Sequence, residues 1–283
     1  MVSQPARPVG RGRRVQDPPV AARARERGLP VVQPERPSLR RFRESIAEIR
    51  PDLGVVVAYG AILTRQLLDV PPLGFVNVHA SLLPKYRGAA PIQAAIAAGD
   101  AETGVTTMQV GPGLDSGPML LERRLTIGSD ETTGELTPRL ADTGADLLLE
   151  TIERLEQGDL VPRPQTDADA TYAGRIDKRD GRVDWTDSAT DLVNRLRAFT
   201  PWPGLTAPIA GEAVKLMKLS RVEPGDWAAD GASPAAPGTV LGLVGDALVI
   251  ACGFGTAVAL EQAQRPGRGV VSGGELSRAL DLV

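Results

Sequence analysis

The sequence predicts an α/β domain built on a parallel sheet, followed by a small antiparallel β-barrel. Three observations predict it. Up to residue 180, short valine-rich apolar runs alternate with stretches of helical periodicity, the pattern of a sheet covered by helices. Beyond residue 180 the character changes, and residues 205–283 show short β-like runs broken by Gly, Pro and Asp. TPWPG, residues 200–204, has two prolines that stiffen the backbone and mark a boundary. The expected division is therefore a domain over 1–180, a linker over 181–204 and a barrel over 205–283. With 283 residues, 42% apolar and 24% charged, the chain is long enough for two cores, and disordered or collagen-like classes are excluded.

Asp17 before Pro18 and Pro19 reads as an N-cap with prolines in the first turn, and Gly28 as a stop, so residues 18–27 are expected to be helical. Ser38 is expected to cap a second helix, in which Leu39, Phe42, Ile46 and Ile49 recur at helical spacing and which Pro51 ends. Residues 53–58, LGVVVA, read as a strand covered on both faces. A helix over 61–68 and a strand over 74–78 repeat the unit. A helix opening at Pro91, strands near 104–110 and 119–126, and a long helix from 133 to 157 continue the alternation. A helix over 189–199 leads into the proline segment. Residues 213–222, 238–244, 247–252 and 256–262 are the expected barrel strands, with the Ala-, Pro- and Gly-rich residues 228–238 as a loop inside it.

No apolar run approaches the roughly 20 residues of a membrane-spanning helix, and the arginine-studded start has no apolar signal-peptide core. A cytoplasmic protein with no membrane partner is expected. One cysteine, Cys252, and one histidine, His79, exclude a disulfide framework and a structural zinc cluster, so no metal is expected. The net charge of −3 conceals an asymmetry: residues 1–50 hold 12 arginines against 5 acids, a net +7, and the remainder carries −10. The densest basic stretch is QPARPVGRGRRV, residues 4–15, where Arg7, Arg11, Arg13 and Arg14 are interspersed with proline and glycine. It reads as an exposed loop. One reading is a solvated terminus. The other is a phosphate-binding loop, because guanidinium forks suit phosphate oxygens, and RNA is then its partner.

Residues 74–93, GFVNVHASLLPKYRGAAPIQ, deliver Asn77 and His79 to the carboxyl end of an apolar strand. In parallel α/β sheets ligands bind at that end. Period-two alternation puts the amide and the imidazole on one face, provided the strand reaches His79. The alternative is a hydrogen-bonded structural histidine. In VGPGLDSGPML, residues 110–120, Asp115 sits among glycines, which suits either an ordinary turn or a carboxylate presented by one.

Taken together, the two segments resemble the active-site signature of the formyltransferases that use 10-formyltetrahydrofolate, with an Asn-x-His pair, an SLLP loop and an LD-(S/T)-G loop. The resemblance implies Asn77, His79 and Asp115 as the catalytic trio, and Ser81, Leu82, Leu83 and Pro84 as a folate-contacting stretch. GLPVVQPE at 28–35, RGAAPIQ at 87–93, YAGRIDKRDGRVDW at 172–185, AFTPWP at 198–203 and APGTV at 236–240 are similar to the methionyl-tRNA formyltransferase branch, as is the arginine loop. That branch implies a Rossmann-like parallel-sheet formyltransferase domain and an OB-like C-terminal barrel that binds tRNA. It further implies 10-formyltetrahydrofolate as formyl-donor cosubstrate without a metal, initiator methionyl-tRNA as partner, and a monomer. Arg7, Arg11, Arg13 and Arg14 are the implied tRNA contacts, with Arg11 leading.

Family members begin with a strand, a glycine turn, a helix and a second strand, roughly thirty residues, before the arginine loop. This sequence reaches the loop almost at once, with Val2-Ser3 as a stub of the second strand. The first βαβ element is therefore expected to be missing, through a start site set too late or as a truncated product with little activity. Alternatives are a catalytically impaired folate- or RNA-binding fragment, or another folate-dependent formyltransferase or hydrolase. A Ser81–His79–Asp115 hydrolase is a further alternative, weakened by the lack of a GxSxG elbow.

Overall fold

The computed structural model describes residues 1–10, 12–223, 227 and 235–283. In chain order, β1 (Arg7–Val9) and β2 (Arg14–Gln16) precede α1 (Pro19–Glu26), α2 (Arg40–Ile49), β3 (Gly54–Val56), α3 (Arg65–Leu68) and β4 (Phe75–His79). Then come β5 (Arg87–Gly88), α4 (Pro91–Ala97), β6 (Glu102–Gln109), β7 (Met119–Thr126), α5 (Thr133–Gln157), β8 (Tyr172–Ala173) and α6 (Ala189–Ala198). The C-terminal part adds β9 (Leu205–Ile209), β10 (Glu212–Val222), β11 (Val240–Val244), β12 (Ala247–Ala251), β13 (Ala257–Gln264), β14 (Val270–Ser272) and α7 (Gly273–Leu280). Two compact units result. One is Met1–His79, Thr106–Glu122 and Asp146–Ala168; the other is Ala80–Val105, Arg123–Ala145 and Asp169–Val283. No helix among the described residues is long and apolar enough to cross a membrane.

The sheet that carries β4 has the order β3-β4-β6-β7. β3 pairs with β4 in parallel, as expected, but β4 pairs with β6 antiparallel, so the sheet is mixed. The connection through α4 returns the chain in the opposite direction, so β6 runs against β4 from inside the sheet. β3 departs from its expected burial. It is three residues long and ends the strand order; Val55 within it is 43% exposed, and Val57, expected in the same strand but lying just past its end, is 59% exposed. An edge strand has a neighbour on one side only.

In the first unit α1 buries Ala21 and Ala24, but Asp17 does not cap it. Its carboxylate pairs with Arg25 and accepts from the Gln33 amide at 3.1 Å. A charged guanidinium is a stronger partner than a neutral backbone N–H. Leu39, not Ser38, holds the N-cap position of α2, whose one buried residue is Phe42. Within the expected arginine loop, β1 and β2 pair antiparallel, with Arg7 opposite Gln16 and Val9 opposite Arg14. Composition hid it, because an exposed two-stranded ribbon needs no apolar alternation. Val2 makes a parallel bridge to Val32.

In the second unit β5 and β8 pair in parallel, joining RGAAPIQ to YAGRID. Gly88, at φ +119°, lies so close to the Ala173 carbonyl that a Cβ there would meet its oxygen at 2.5 Å. The antiparallel C-terminal sheet has the order β11-β12-β13-β10-β9, with β14 also on β13. β10 is 11 residues long; its first half pairs with β9 and its second with β13, and its register shifts between Leu216 and Leu219. Such a bulge bends a strand where a small barrel turns its corner. Trp185, Leu192 and Leu196, from α6 and the segment before it, share one apolar core with Leu205, Leu216, Leu248, Leu260 and Leu276. Residues 228–234 of the expected loop lie outside the described residues.

Leu192 is 0% exposed in that core. Leu192→Ala is expected to destabilise the protein by about 2–5 kcal/mol through lost transfer energy and a residual cavity. Chemical denaturation measures this; a loss below about 1 kcal/mol contradicts the packing described.

Candidate active site

β4 is flanked on both sides. Asn77 is in register with Val56 of β3 and Met108 of β6, and His79 with Thr106. The strand extends through His79, which meets the condition set by the sequence, so Asn77 and His79 share a face. Both are buried, at 9% and 6% exposure. A buried amide and imidazole need polar partners.

Asp115 is such a partner. It comes from the loop between β6 and β7, which Gln109 N–H closes by donating to the Pro118 carbonyl at 2.9 Å. A Cβ at Gly117 would sit 1.8 Å from the Gln109 carbonyl oxygen, so glycine is required there. Asp115 itself adopts φ +44°, a left-handed conformation that Asp tolerates better than most side chains. The turn reading and the carboxylate reading of this loop therefore hold together. Asn77 Nδ2 donates to Asp115 Oδ1 at 3.4 Å, and His79 Nδ1 lies 3.8 Å from Asp115 Oδ2. The latter is an ion-pair separation, longer than a hydrogen bond. The three side chains named by the sequence are thus neighbours within the first unit.

Sequence reasoning missed Gln165. Its Nε2 donates to the backbone carbonyls of Asp115 and Gly117, each at 2.8 Å. No motif surrounds it, and its partners lie about fifty positions upstream.

Ser81, Leu82, Leu83 and Pro84 belong to the second unit. Ser81 is fully buried and donates its hydroxyl to the Lys85 carbonyl at 2.6 Å. That leaves the Ser81 hydrolase without support. Leu83 is 5% exposed, and the Leu83–Pro84 peptide is cis. Next to it, Tyr86 N–H donates to Thr171 Oγ1 at 2.9 Å, and Tyr86 Oη donates to Asp100 at 2.8 Å. Cys252 offers no nucleophile, since burial pushes its thiol up to about 11.

Arg7, Arg13 and Arg14 are exposed, on β1, between the two strands and on β2 respectively. Arg13 takes φ +47°, and Arg7 Nη2 donates to Gln4 Oε1 at 3.4 Å. Arg11 lies outside the described residues.

A formyl transferase family model matches residues 1–152, and the formyl transferase C-terminal domain matches residues 175–280. A methionyl-tRNA formyltransferase of Anaeromyxobacter dehalogenans is 45% identical over 281 residues, 99% of this chain and 88% of the relative. One of Marinobacter nauticus is 42% identical over 94% of this chain and 83% of its own length. Among solved structures, the sugar 3N-formyl transferase WlaRD, with dTDP and 5-N-formyl-THF, superposes at a TM-score of 0.62 and 16% identity, covering 90% of this chain and 83% of that chain. HypX from Aquifex aeolicus in complex with tetrahydrofolic acid superposes at 0.59 and 20% identity, covering 91% of this chain and 44% of that one. At such identities the likeness is one of fold. The chain belongs to the formyl transferase family, on its methionyl-tRNA formyltransferase branch.

Proposed function

We propose that this chain transfers a formyl group from 10-formyltetrahydrofolate to the free amino group of methionyl initiator tRNA in the cytoplasm. One observation carries the reading. The Asn77 amide stands 3.4 Å and the His79 ring 3.8 Å from the Asp115 carboxylate, which comes from a distant segment. Amine attack on the formyl carbon puts negative charge on its oxygen; collapse of this intermediate breaks the bond to the tetrahydrofolate nitrogen, which takes up a proton as the attacking amine loses one. An amide has two N–H donors. With one directed at Asp115, the other serves the developing oxyanion. Asp115 on the Nδ1 side orients the imidazole, so the Nε2 edge donates to or exchanges a proton with the reacting groups. Asp115 takes up the amine proton directly or through a water. Such contacts are often long without substrate and tighten with it.

We assign Ser81, Leu82, Leu83 and Pro84 to folate contact, and Arg7, Arg11, Arg13 and Arg14 to the tRNA backbone. The domain division we favour is a catalytic part over 1–180, a linker over 181–204 and a tRNA-binding part over 205–283; two successive family matches, over 1–152 and 175–280, support a chain of two parts but not these bounds. The direct test offers labelled formyl donor with charged initiator tRNA, an amino-sugar nucleotide or water as acceptor. Label on the methionyl amino group is expected; label only on the sugar, or only as formate, overturns the reading.

Asn77→Ala is expected to cost about 3 kcal/mol of transition-state stabilisation, the scale of one oxyanion donor. A single-turnover rate within about threefold of the parent removes Asn77 from that role. Arg11→Ala and Arg14→Ala are expected to weaken binding of charged initiator tRNA and to flatten its salt dependence, because each removes a phosphate contact. Affinities equal to the parent's at two salt concentrations leave the arginine loop with no part in binding.

A further inference from the structure

We propose that Gln165 is a positioning residue for this reaction, clamping the loop so that the Asp115 carboxylate meets Asn77 and His79. Its catalytic consequence rests on the formyl-transfer reading; the clamp itself does not.

The clamp follows from local geometry. Met119 and Arg163 exchange both backbone hydrogen bonds, each 2.8 Å, as an antiparallel bridge. In such a pair, moving two residues forward on one side faces two residues back on the other, which brings residue 165 opposite Gly117. There the ladder is continued by a side chain. Both hydrogens of the Gln165 amide are spent on the loop, one on the Asp115 carbonyl and one on the Gly117 carbonyl. Those two carbonyls bracket Ser116, so one side chain spans the tip. Gln165 is half-buried, whereas Arg163, Pro164, Thr166 and Asp167 around it are exposed.

The loop needs such a partner. Asp115 sits at φ +44°, a conformation unfavourable for a residue with a side chain, and persists where surrounding contacts over-determine it. Fixing its carbonyl fixes the peptide plane next to its Cα and so narrows the directions its Cα–Cβ bond can take, leaving Asn77 and His79 to select the carboxylate's orientation. The requirement is chemical and specific: one nitrogen with two hydrogens at this reach. Glutamate has the same shape but sets a carboxylate oxygen against two carbonyl oxygens; leucine fills similar space with no donor.

The test uses the full chain and measures single-turnover formylation and the dissociation constants for charged tRNA and formyl donor. Gln165→Leu and Gln165→Glu are expected to lower the rate by roughly 10- to 100-fold, the cost of a misplaced catalytic group, while both dissociation constants stay at the parent value. The double variant Asp115→Ala/Gln165→Leu is expected to be no slower than Asp115→Ala alone, because Gln165 acts through Asp115. Parent-like rates, or multiplying effects in the double variant, overturn the proposal. Amide hydrogen exchange at 115–117 reads the clamp independently of turnover. It is expected to accelerate in both Gln165 variants while the rest of the sheet stays protected; unchanged exchange overturns the clamp even if the parent proves inactive. A parent that does not formylate methionyl-tRNA overturns the functional reading instead.

Discussion

The geometry of the candidate site depends on strand β4 keeping regular pairing through His79. Only continued alternation puts an amide and an imidazole two residues apart on one buried face. Pairing to β3 and β6 removes the freedom that a loop would leave at Asn77. Burial then makes a third polar group necessary, and Asp115 supplies it from a turn that glycine allows to close over Gln109. The same contacts that make the burial tolerable align a donor, a proton carrier and a carboxylate.

Each unit has its own internal contacts. In the second, leucines of the antiparallel sheet and of α6 form one apolar core, with Leu192, Leu205, Leu248 and Leu260 fully buried. In the first, several large apolar side chains face solvent, among them Ile49 at 67% and Ile62 at 90% exposure. There polar pairings lie beside the buried Val76, Met108 and Leu147. Thr107 Oγ1 accepts from Leu121 N–H at 3.1 Å and shares a hydrogen bond with Thr151 at 2.8 Å, and Gln165 ties two carbonyls of the Asp115 loop. Hydrogen bonds of this kind are directional, which suits a region where the orientation of a few groups matters more than bulk burial.

Much of this was readable beforehand, for physical reasons. Period two in FVNVH and the glycines around Asp115 make the two segments recognisable, and α5, α6 and β10 to β13 follow from periodicity. What escaped depends on partners distant in sequence. The exposure of Val55 follows from strand order, which a valine run does not encode. Asp17 has the right type and place for a cap, yet Arg25 takes it. Pro208 disguises β9, which tolerates proline because it ends its sheet's strand order. The α7 capping box, Ser272 with Glu275, was readable but encloses two glycines, Gly273 and Gly274, that argue against a helix. Gln165 has no local signature; its meaning lies in carbonyls about fifty residues upstream.

Because His79 is the single histidine, its ring nitrogens give unambiguous signals in nuclear magnetic resonance. Comparing their chemical shifts in the parent and in Asp115→Asn tests most directly whether the distant carboxylate meets the imidazole. A clear displacement of the ring signals, with the backbone spectrum of the sheet preserved, is the expected result. Superimposable ring signals in the two proteins would mean that Asp115 and His79 do not meet, and the proposed trio would be contradicted.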